Sequence, residues 1–236
     1  MTDNNTEDKY ALHEAIRQGK TLLAKHMIDT DAKQILIKDD DDRSPLHWAC
    51  SMNNLELVEY IIKPRPTIKN LDIDEMEDAG GWTPLHIAAS VGNLSIFELL
   101  VTKLDADVNE TTSTGVAPIH LAISKNHYDI VKRLVEDFKA SCRVKDKKGF
   151  TPLHRAAAIG SQPIIKLLVE KGKVNINAKD NEGWTALHHA LAEGHGDAGV
   201  LLVSLGADAT IENVDGDTPI KVAVDEKVAK YFKDHI

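Results

Sequence analysis

The sequence predicts an all-α repeat fold, a row of helix–turn–helix units joined by projecting turns. Three observations predict it. A four-residue motif, Thr-Pro-Leu-His in its plainest form, recurs along the chain. Its copies fall at a nearly constant interval. Each copy sits in a module that carries, in order, a turn, a helix start, a short apolar face and a helix stop. The module Gly81 to Asn93 shows every part. Gly81 permits a turn that a Cβ would strain. Thr83 suits the N-cap, and Pro84 suits the first helical position, where no N–H is needed. Leu85, Ala88 and Ala89 make a small-residue apolar face, and Gly92 ends the helix.

The motif reads Ser44-Pro45-Leu46-His47, Thr83-Pro84-Leu85-His86, Ala117-Pro118-Ile119-His120, Thr151-Pro152-Leu153-His154 and Thr185-Ala186-Leu187-His188. Thr218-Pro219-Ile220-Lys221 is a further copy with Lys in the His position, and Tyr10-Ala11-Leu12-His13 is a degenerate first copy. The fourth positions lie 34, 39, 34, 34, 34 and 33 residues apart. A period near 33 with this motif is the ankyrin signature. The chain is therefore expected to be one ankyrin solenoid of seven helix-turn-helix repeats with projecting β-turn fingers. The repeats fall near residues 9–38, 39–74, 75–111, 112–145, 146–179, 180–212 and 213–236, after a mobile tail over 1–8.

The elements follow in order. Tyr10 to Gln18 and Thr21 to Ile28 are the helices of the first repeat, with Leu12, Ala15 and Ile16 inward and Leu22, Leu23, Met27 and Ile28 at helical spacing. Pro45 to Ser51 and Leu55 to Ile62 follow, stopped by Pro64-Arg65-Pro66. The interval of 39 marks an insertion between repeats two and three, which runs into the acidic stretch Asp72 to Asp78. Leu94 to Leu104 and Tyr128 to Phe138 are later second helices. Val116-Ala117 before Pro118 keeps the helix start but lacks the capping hydroxyl. Glu226 to Phe232 closes the chain as a polar-faced helix.

Composition narrows function. The formal net charge of −9 argues against nucleic acid as a partner, because phosphate binding needs clustered Lys and Arg. No apolar run approaches a membrane span, and Met1 to Asp8 does not read as a signal or transit peptide. Two cysteines, Cys50 and Cys142, sit two repeats apart and are not expected to form a disulfide, which fits a cytoplasmic or nuclear location. Eleven histidines invite a metal or catalytic reading. The motif histidines recur once per unit, so they read as unit-level structure, bonding locally to backbone and capping hydroxyl. His188, His189 and His195 come nearest to a metal cluster, but neighbours on a helix do not face one another. His47 and Cys50 lack a third orienting group. The expectation is a binding protein, monomeric on its own and not an enzyme, with no cofactor and no metal.

Binding residues are sought just before each motif and at exposed positions after its His. The first set is Arg43, Trp82, Val116, Phe150, Trp184 and Asp217. The second contains Trp48, Met52, Ile87, Val91, Leu121, Lys125, Arg155, Ile159, His189 and Glu193. Trp and Arg are enriched at interface cores, although packing between fingers would equally explain Trp48, Trp82 and Trp184. Charge is segregated. The first two fingers are acidic, the turn Arg143 to Lys148 is basic, and the last finger is acidic again through Glu212, Asp215 and Asp217. A bipolar partner would match this row.

Arg43-Ser44-Pro45-Leu46-His47-Trp48-Ala49-Cys50, Gly81-Trp82-Thr83 and His154-Arg155-Ala156 resemble the gankyrin family beyond ankyrin consensus, and Gly183 to Ala198 resembles its fungal members. That resemblance implies an assembly chaperone of the proteasome regulatory particle. It would hold the C-terminal domain of one AAA-ATPase subunit in a concave face. It also implies that Arg43 and Lys125 meet partner carboxylates, and that Asp41 and Asp78 meet partner arginines. The alternative from fold alone is an inhibitory ankyrin protein that binds a kinase or a transcription factor.

Overall fold

The computed structural model describes residues 9–66, 68 and 71–236. The tail expected over 1–8 lies outside them. The chain divides into two compact units, one ending at Ser113 and one beginning at Thr114. The first contains α1 (Ala11–Arg17), α2 (Thr21–Thr30), a 3-10 turn (Ala32–Leu36), α3 (Pro45–Ser51), α4 (Leu55–Ile61), α5 (Pro84–Val91) and α6 (Leu94–Leu104). The second contains α7 (Pro118–Ser124), α8 (Tyr128–Glu136), α9 (Pro152–Ala158), α10 (Gln162–Lys171), α11 (Ala186–Ala192), α12 (Gly196–Ser204) and α13 (Glu226–His235). The fold is an all-α repeat. Within the first unit α1 packs on α3 and α3 on α5, while α2 packs on α4 and α4 on α6. Within the second, α7 packs on α9 and α9 on α11, while α8, α10 and α12 form the other layer and α13 covers α12. The core between the layers is aliphatic, with Leu46, Leu57, Leu85, Ile96 and Leu100 in one unit and Ile119, Leu134, Leu153, Leu168 and Leu187 in the other, all closed to solvent.

The motif His explains the regularity. In α3 the backbone N–H of Ser44 donates to Nδ1 of His47 at 3.1 Å, and the Ser44 hydroxyl lies 2.8 Å from the same nitrogen. Thr83 with His86, Thr151 with His154 and Thr185 with His188 repeat the arrangement. It is a capping box with imidazole in the place usually held by Glu or Gln. An N–H can only donate, so Nδ1 accepts and the proton sits on Nε2. Nε2 then reaches the next repeat. His13 meets the Arg43 carbonyl at 3.1 Å, His47 the Trp82 carbonyl at 3.0 Å, and His120 the Phe150 carbonyl at 3.1 Å. His154 meets the Trp184 carbonyl at 3.1 Å and His188 the Asp217 carbonyl at 3.0 Å. Local bonding was expected from the sequence; the bridge to the following repeat was not.

The fingers are linked tip to tip. The N–H groups of Ala79 and Ser113 donate to the Asp41 and Gly80 carbonyls in the first unit. Those of Lys147, Asn181 and Val214 donate to the Thr114, Lys148 and Glu182 carbonyls in the second. A Cβ on Gly149, which has φ +82°, would come within 2.7 Å of the Asn181 backbone nitrogen, so the close approach of fingers requires glycine there. Asp42 holds the corresponding left-handed turn in the second repeat with φ 59°.

Three details differ from the sequence expectation. Leu22 and Leu23 follow helical spacing but face solvent, Leu22 with 80% of its surface exposed. In α2 only Ala24 and Ile28 are buried, because α2 is the outer helix of the first repeat and has one neighbour, α4, in its layer. In the seventh repeat, Thr218-Pro219-Ile220-Lys221 forms turns and no α-helix. Lys221 cannot accept the N-cap N–H as imidazole does, and its ammonium lies near Asp217 and the Gly216 carbonyl. Several helix ends shift by one to three residues. The insertion is anchored over 71–78: Ile73 and Met76 are buried, and the Asp74 carboxylate accepts the Asp107 N–H.

Burial lowers the pKa of His13, His47 and His188 and brings His120 and His154 to about 4. The unfolded chain takes up these protons near 6.5, the folded chain only at lower pH. Stability is therefore complete above about 6.5 and lost as pH falls towards 4. Thermal melts followed by circular dichroism are expected to show a steep decline of Tm across that interval. Ala117 offers only its N–H to His120, at 3.1 Å, and has no hydroxyl. Ala117→Thr is expected to raise stability by about 1 kcal/mol in urea titration, since Thr fits the buried equivalent positions 83 and 185.

Candidate protein-binding surface

Five fingers are closed by one acidic or amide side chain, eight residues before the motif position; the fourth repeat has Thr112 there. One oxygen of Asp39 accepts the N–H groups of Asp41 and Arg43 at 3.0 and 2.9 Å. Asp78 does the same for Gly80 and Trp82, Asp146 for Lys148 and Phe150, Asp180 for Glu182 and Trp184, and Asn213 for Asp215 and Asp217. The second oxygen reaches a side chain on the first helix. Asp39 accepts the Trp48 indole N–H at 2.7 Å, Asp146 pairs with Arg155 at 2.6 Å, and Asp180 meets His189 Nε2 at 2.8 Å. In the third repeat the equivalent first-helix residue is Ile87, which offers no donor. Asp78 turns instead to Arg43 of the preceding finger, at 3.1 Å.

These anchors assign the sequence-derived candidates to different roles. Arg43 and Asp78 pair with each other, with Asp78 8% exposed and Arg43 half-buried. Burial pushes the Asp78 carboxyl up, but the Trp82 and Gly80 N–H groups and the Arg43 guanidinium outweigh it and hold it below its ordinary value. Trp48 is half-buried beneath the guanidinium groups of Arg17 and Arg43, 5.0 and 5.5 Å from its ring. Trp82 is half-exposed against His86. In the second unit, Phe150 and Trp184 both lie against His189, at 4.8 and 5.2 Å between ring centres. Arg155 spans Asp146 and the Ser124 hydroxyl, and its buried Nε has no partner. Asp41 and Lys125 stand differently. Both are exposed, and neither side chain is engaged by another among the described residues.

The result is two finger faces, one per unit. The first groups Asp41, Arg43, Trp48, Asp78 and Trp82; the second groups Lys125, Phe150, Arg155 and Trp184. Each combines aromatic rings of partial exposure with charges of fixed position, a composition suited to a protein partner. Part of the basic turn proves structural. Lys38, Lys145 and Lys179 each donate to the backbone carbonyl one repeat further on, at Glu77, Lys179 and Glu212. Arg143 donates likewise to Lys173. Only Lys147 and Lys148 of that turn extend freely. Among the described residues no group of three His, Cys, Asp or Glu side chains could hold a metal. Cys50 is fully buried and burial pushes its thiol pKa far up; Cys142 is pushed to about 11 by the same cause.

The finger carboxylates were missed in the sequence reading. Their signal was present, an Asp eight residues before His47, His86, His154 and His188.

Repeats with capped helices, linked fingers and an exposed first-helix face define a protein-binding repeat scaffold. The family described as ankyrin repeats matches residues 1–74, 65–146 and 120–213, and the chain belongs to that family. Among curated relatives, a protein named probable 26S proteasome regulatory subunit p28, of Saccharomyces cerevisiae, is 40% identical over 108 residues, 45% of this chain and 46% of that protein. The 26S proteasome non-ATPase regulatory subunit 10 of Dictyostelium discoideum is 35% identical over 72 residues, 30% of this chain and 29% of the relative. The chain thus spans less than half the length of the curated relatives it matches. These relatives agree with the gankyrin resemblance. A solved structure, the ankyrin repeat domain of Bcl-3, superposes with TM-score 0.71 at 24% identity, covering 94% of this chain and 97% of that one, and supports the fold.

Asp146→Ala would leave the Arg155 guanidinium and two finger N–H groups without their acceptor. A loss of about 3 kcal/mol is expected by urea titration. Asp41→Ala, on the exposed tip, is expected to change stability by no more than about 0.5 kcal/mol.

Proposed function

We propose that this chain is a non-catalytic chaperone of proteasome regulatory-particle assembly that holds the C-terminal domain of one AAA-ATPase subunit on its finger and first-helix face. The observation that carries the reading is the 40% identity over 108 residues to a proteasome regulatory subunit. The surface is consistent with it. Lys125 is an exposed cation without an internal partner, available to a partner carboxylate, and Asp41 is its acidic counterpart in the other unit. Trp48, Trp82, Phe150 and Trp184 offer ring surface that a docked domain would cover. The action would be steric, because a domain held in this way cannot dock elsewhere until released. It would take place where proteasomes assemble, in cytoplasm and nucleus.

The roles of Arg43 and Lys125 separate experimentally. Arg43→Glu would set two carboxylates against each other at Asp78 and disturb the finger itself. Lys125→Glu disturbs no internal bond and is the cleaner test. Calorimetric titration of the full chain with the isolated C-terminal domains of the regulatory-particle ATPases is expected to find one that binds. Lys125→Glu should weaken that complex by about 2 kcal/mol, and added salt should weaken it further. Recovery of kinases or transcription factors from lysate, with no regulatory-particle ATPase, would replace the proposal with the inhibitory reading.

A further inference from the structure

The second unit has another candidate surface, away from the fingers. Between α8 and α10 runs an open groove of about 1030 Å³, continued by a second hollow of about 620 Å³ towards the ends of the same helices. Glu136 and Lys171 line both, so the two are continuous. The floor is apolar, made by Ile159, Pro163 and Leu167, with the ring of Tyr128 exposed at one end. The rims are cationic. Lys132, Lys139, Lys166, Lys171 and Lys173 border it against only Glu136 and Glu170. This is a local excess of positive charge on a chain of net charge −9. All five lysines are exposed, and none is ion-paired within the described residues.

The corresponding place in the first unit, beside α2 and α4, is satisfied from within. Lys25 pairs with Glu56 at 2.6 Å, and the Tyr60 hydroxyl donates to Asp29. The two units therefore treat equivalent outer surfaces differently. One engages Lys25 and Tyr60 with carboxylates, and the other leaves five ammonium groups and an aromatic ring over an aliphatic floor.

We propose that this groove is a second protein-binding site, and that its occupant is an acidic peptide segment carrying one aromatic or large aliphatic anchor. Four properties choose that chemistry. The aliphatic floor accepts an apolar side chain, which an anionic headgroup or phosphate backbone would not supply at that depth. The cations are all lysines, point charges suited to separate carboxylates, with no arginine fork for bidentate phosphate. Glu136 and Glu170 would repel closely spaced phosphates, but can accept the N–H groups of a peptide. The net charge of the whole chain repels the dense phosphate charge of nucleic acid more strongly than the few carboxylates of a short peptide. The site lies on the helix layer opposite the motif helices, so it does not depend on the proteasomal reading.

The test is a bead-displayed library of random dodecapeptides screened against the full chain, with recovered peptides measured by fluorescence anisotropy. The expected result is enrichment of peptides rich in Asp and Glu that contain Phe, Tyr, Trp or Leu. The double variant Lys132→Glu with Lys166→Glu, both on exposed helix positions, should raise Kd about tenfold or more, and salt should do likewise. The finger variant Lys147→Glu with Lys148→Glu should leave Kd unchanged. Enrichment of peptides without acidic excess, no enrichment at all, or equal binding by the groove variant would overturn the proposal. So would sedimentation of the chain with phosphatidylserine vesicles that displace the peptides. Loss of the ATPase domain on Lys125→Glu with peptide binding intact would separate the two sites.

Discussion

The structure depends on a neutral imidazole. At His47, His154 and His188, Nδ1 closes the start of its own helix, while Nε2 donates to a carbonyl of the following repeat. Only one tautomer of one protonation state satisfies both partners. Glu at the same position would close the helix start but could not donate onward, and Lys could donate but not accept. The seventh repeat shows the second case, where Lys221 replaces His and the motif helix is lost. The carbonyls that receive these bonds belong to Arg43, Trp82, Phe150, Trp184 and Asp217, residues that carry the candidate contacts. The bond that joins two repeats therefore also positions the candidate contact residue of the second.

The finger carboxylates do complementary work. A turn that projects from the body exposes N–H groups that neither helix nor sheet satisfies, and each must find an acceptor. Asp39, Asp78, Asp146 and Asp180 supply one with a single oxygen; with the other, Asp39, Asp146 and Asp180 tie the finger to the first helix, while Asp78 ties it to Arg43 of the preceding finger. This changes the reading of the acidic composition. Part of the charge of the fingers is consumed in closing them, and part of the basic turn is consumed in lysine-to-carbonyl links between repeats. What stays exposed and unengaged is the remainder, Asp41 and Asp42 on one unit and Lys125, Lys147 and Lys148 on the other.

Much of this was legible in the sequence, because periodicity averages out local ambiguity. Seven motif positions at a near-constant spacing define the repeat even where one lacks its hydroxyl and another its His. The helix starts were legible because Ser or Thr before Pro has one mechanical meaning. Helix ends were less so, since they depend on how the next loop leaves. Leu22 and Leu23 misled because periodicity identifies a helix without saying how many neighbours cover it, and an outer helix of a first repeat has fewer. Asp78 was read as a surface charge because its neighbours in sequence are acidic and exposed. Its pairing with Arg43 follows from the absence of a donor at Ile87 and the presence of Arg43 one finger away, a relation between repeats that no local window contains.

Repetition also sorts structural residues from functional ones. Positions that recur in most units, the capping residue, the His and the finger Asp, are those whose partners lie within the fold. Five residues after the motif His the chain places Met52, Val91, Lys125, Ile159 and Glu193, which share neither size nor charge. A fold requirement common to all repeats cannot explain five different answers at one place. The fold leaves this position open, and at Lys125 it carries an exposed cation with no side-chain partner among the described residues. The same reasoning applies to the outer layer, where Lys25 meets a carboxylate in one unit while Lys132 and Lys166 meet none in the other. An ammonium on a flexible stem over an aliphatic floor contributes little to folding, because an unpaired surface charge is worth almost nothing to stability. Its contribution is to association, through the rate and orientation with which an acidic partner arrives.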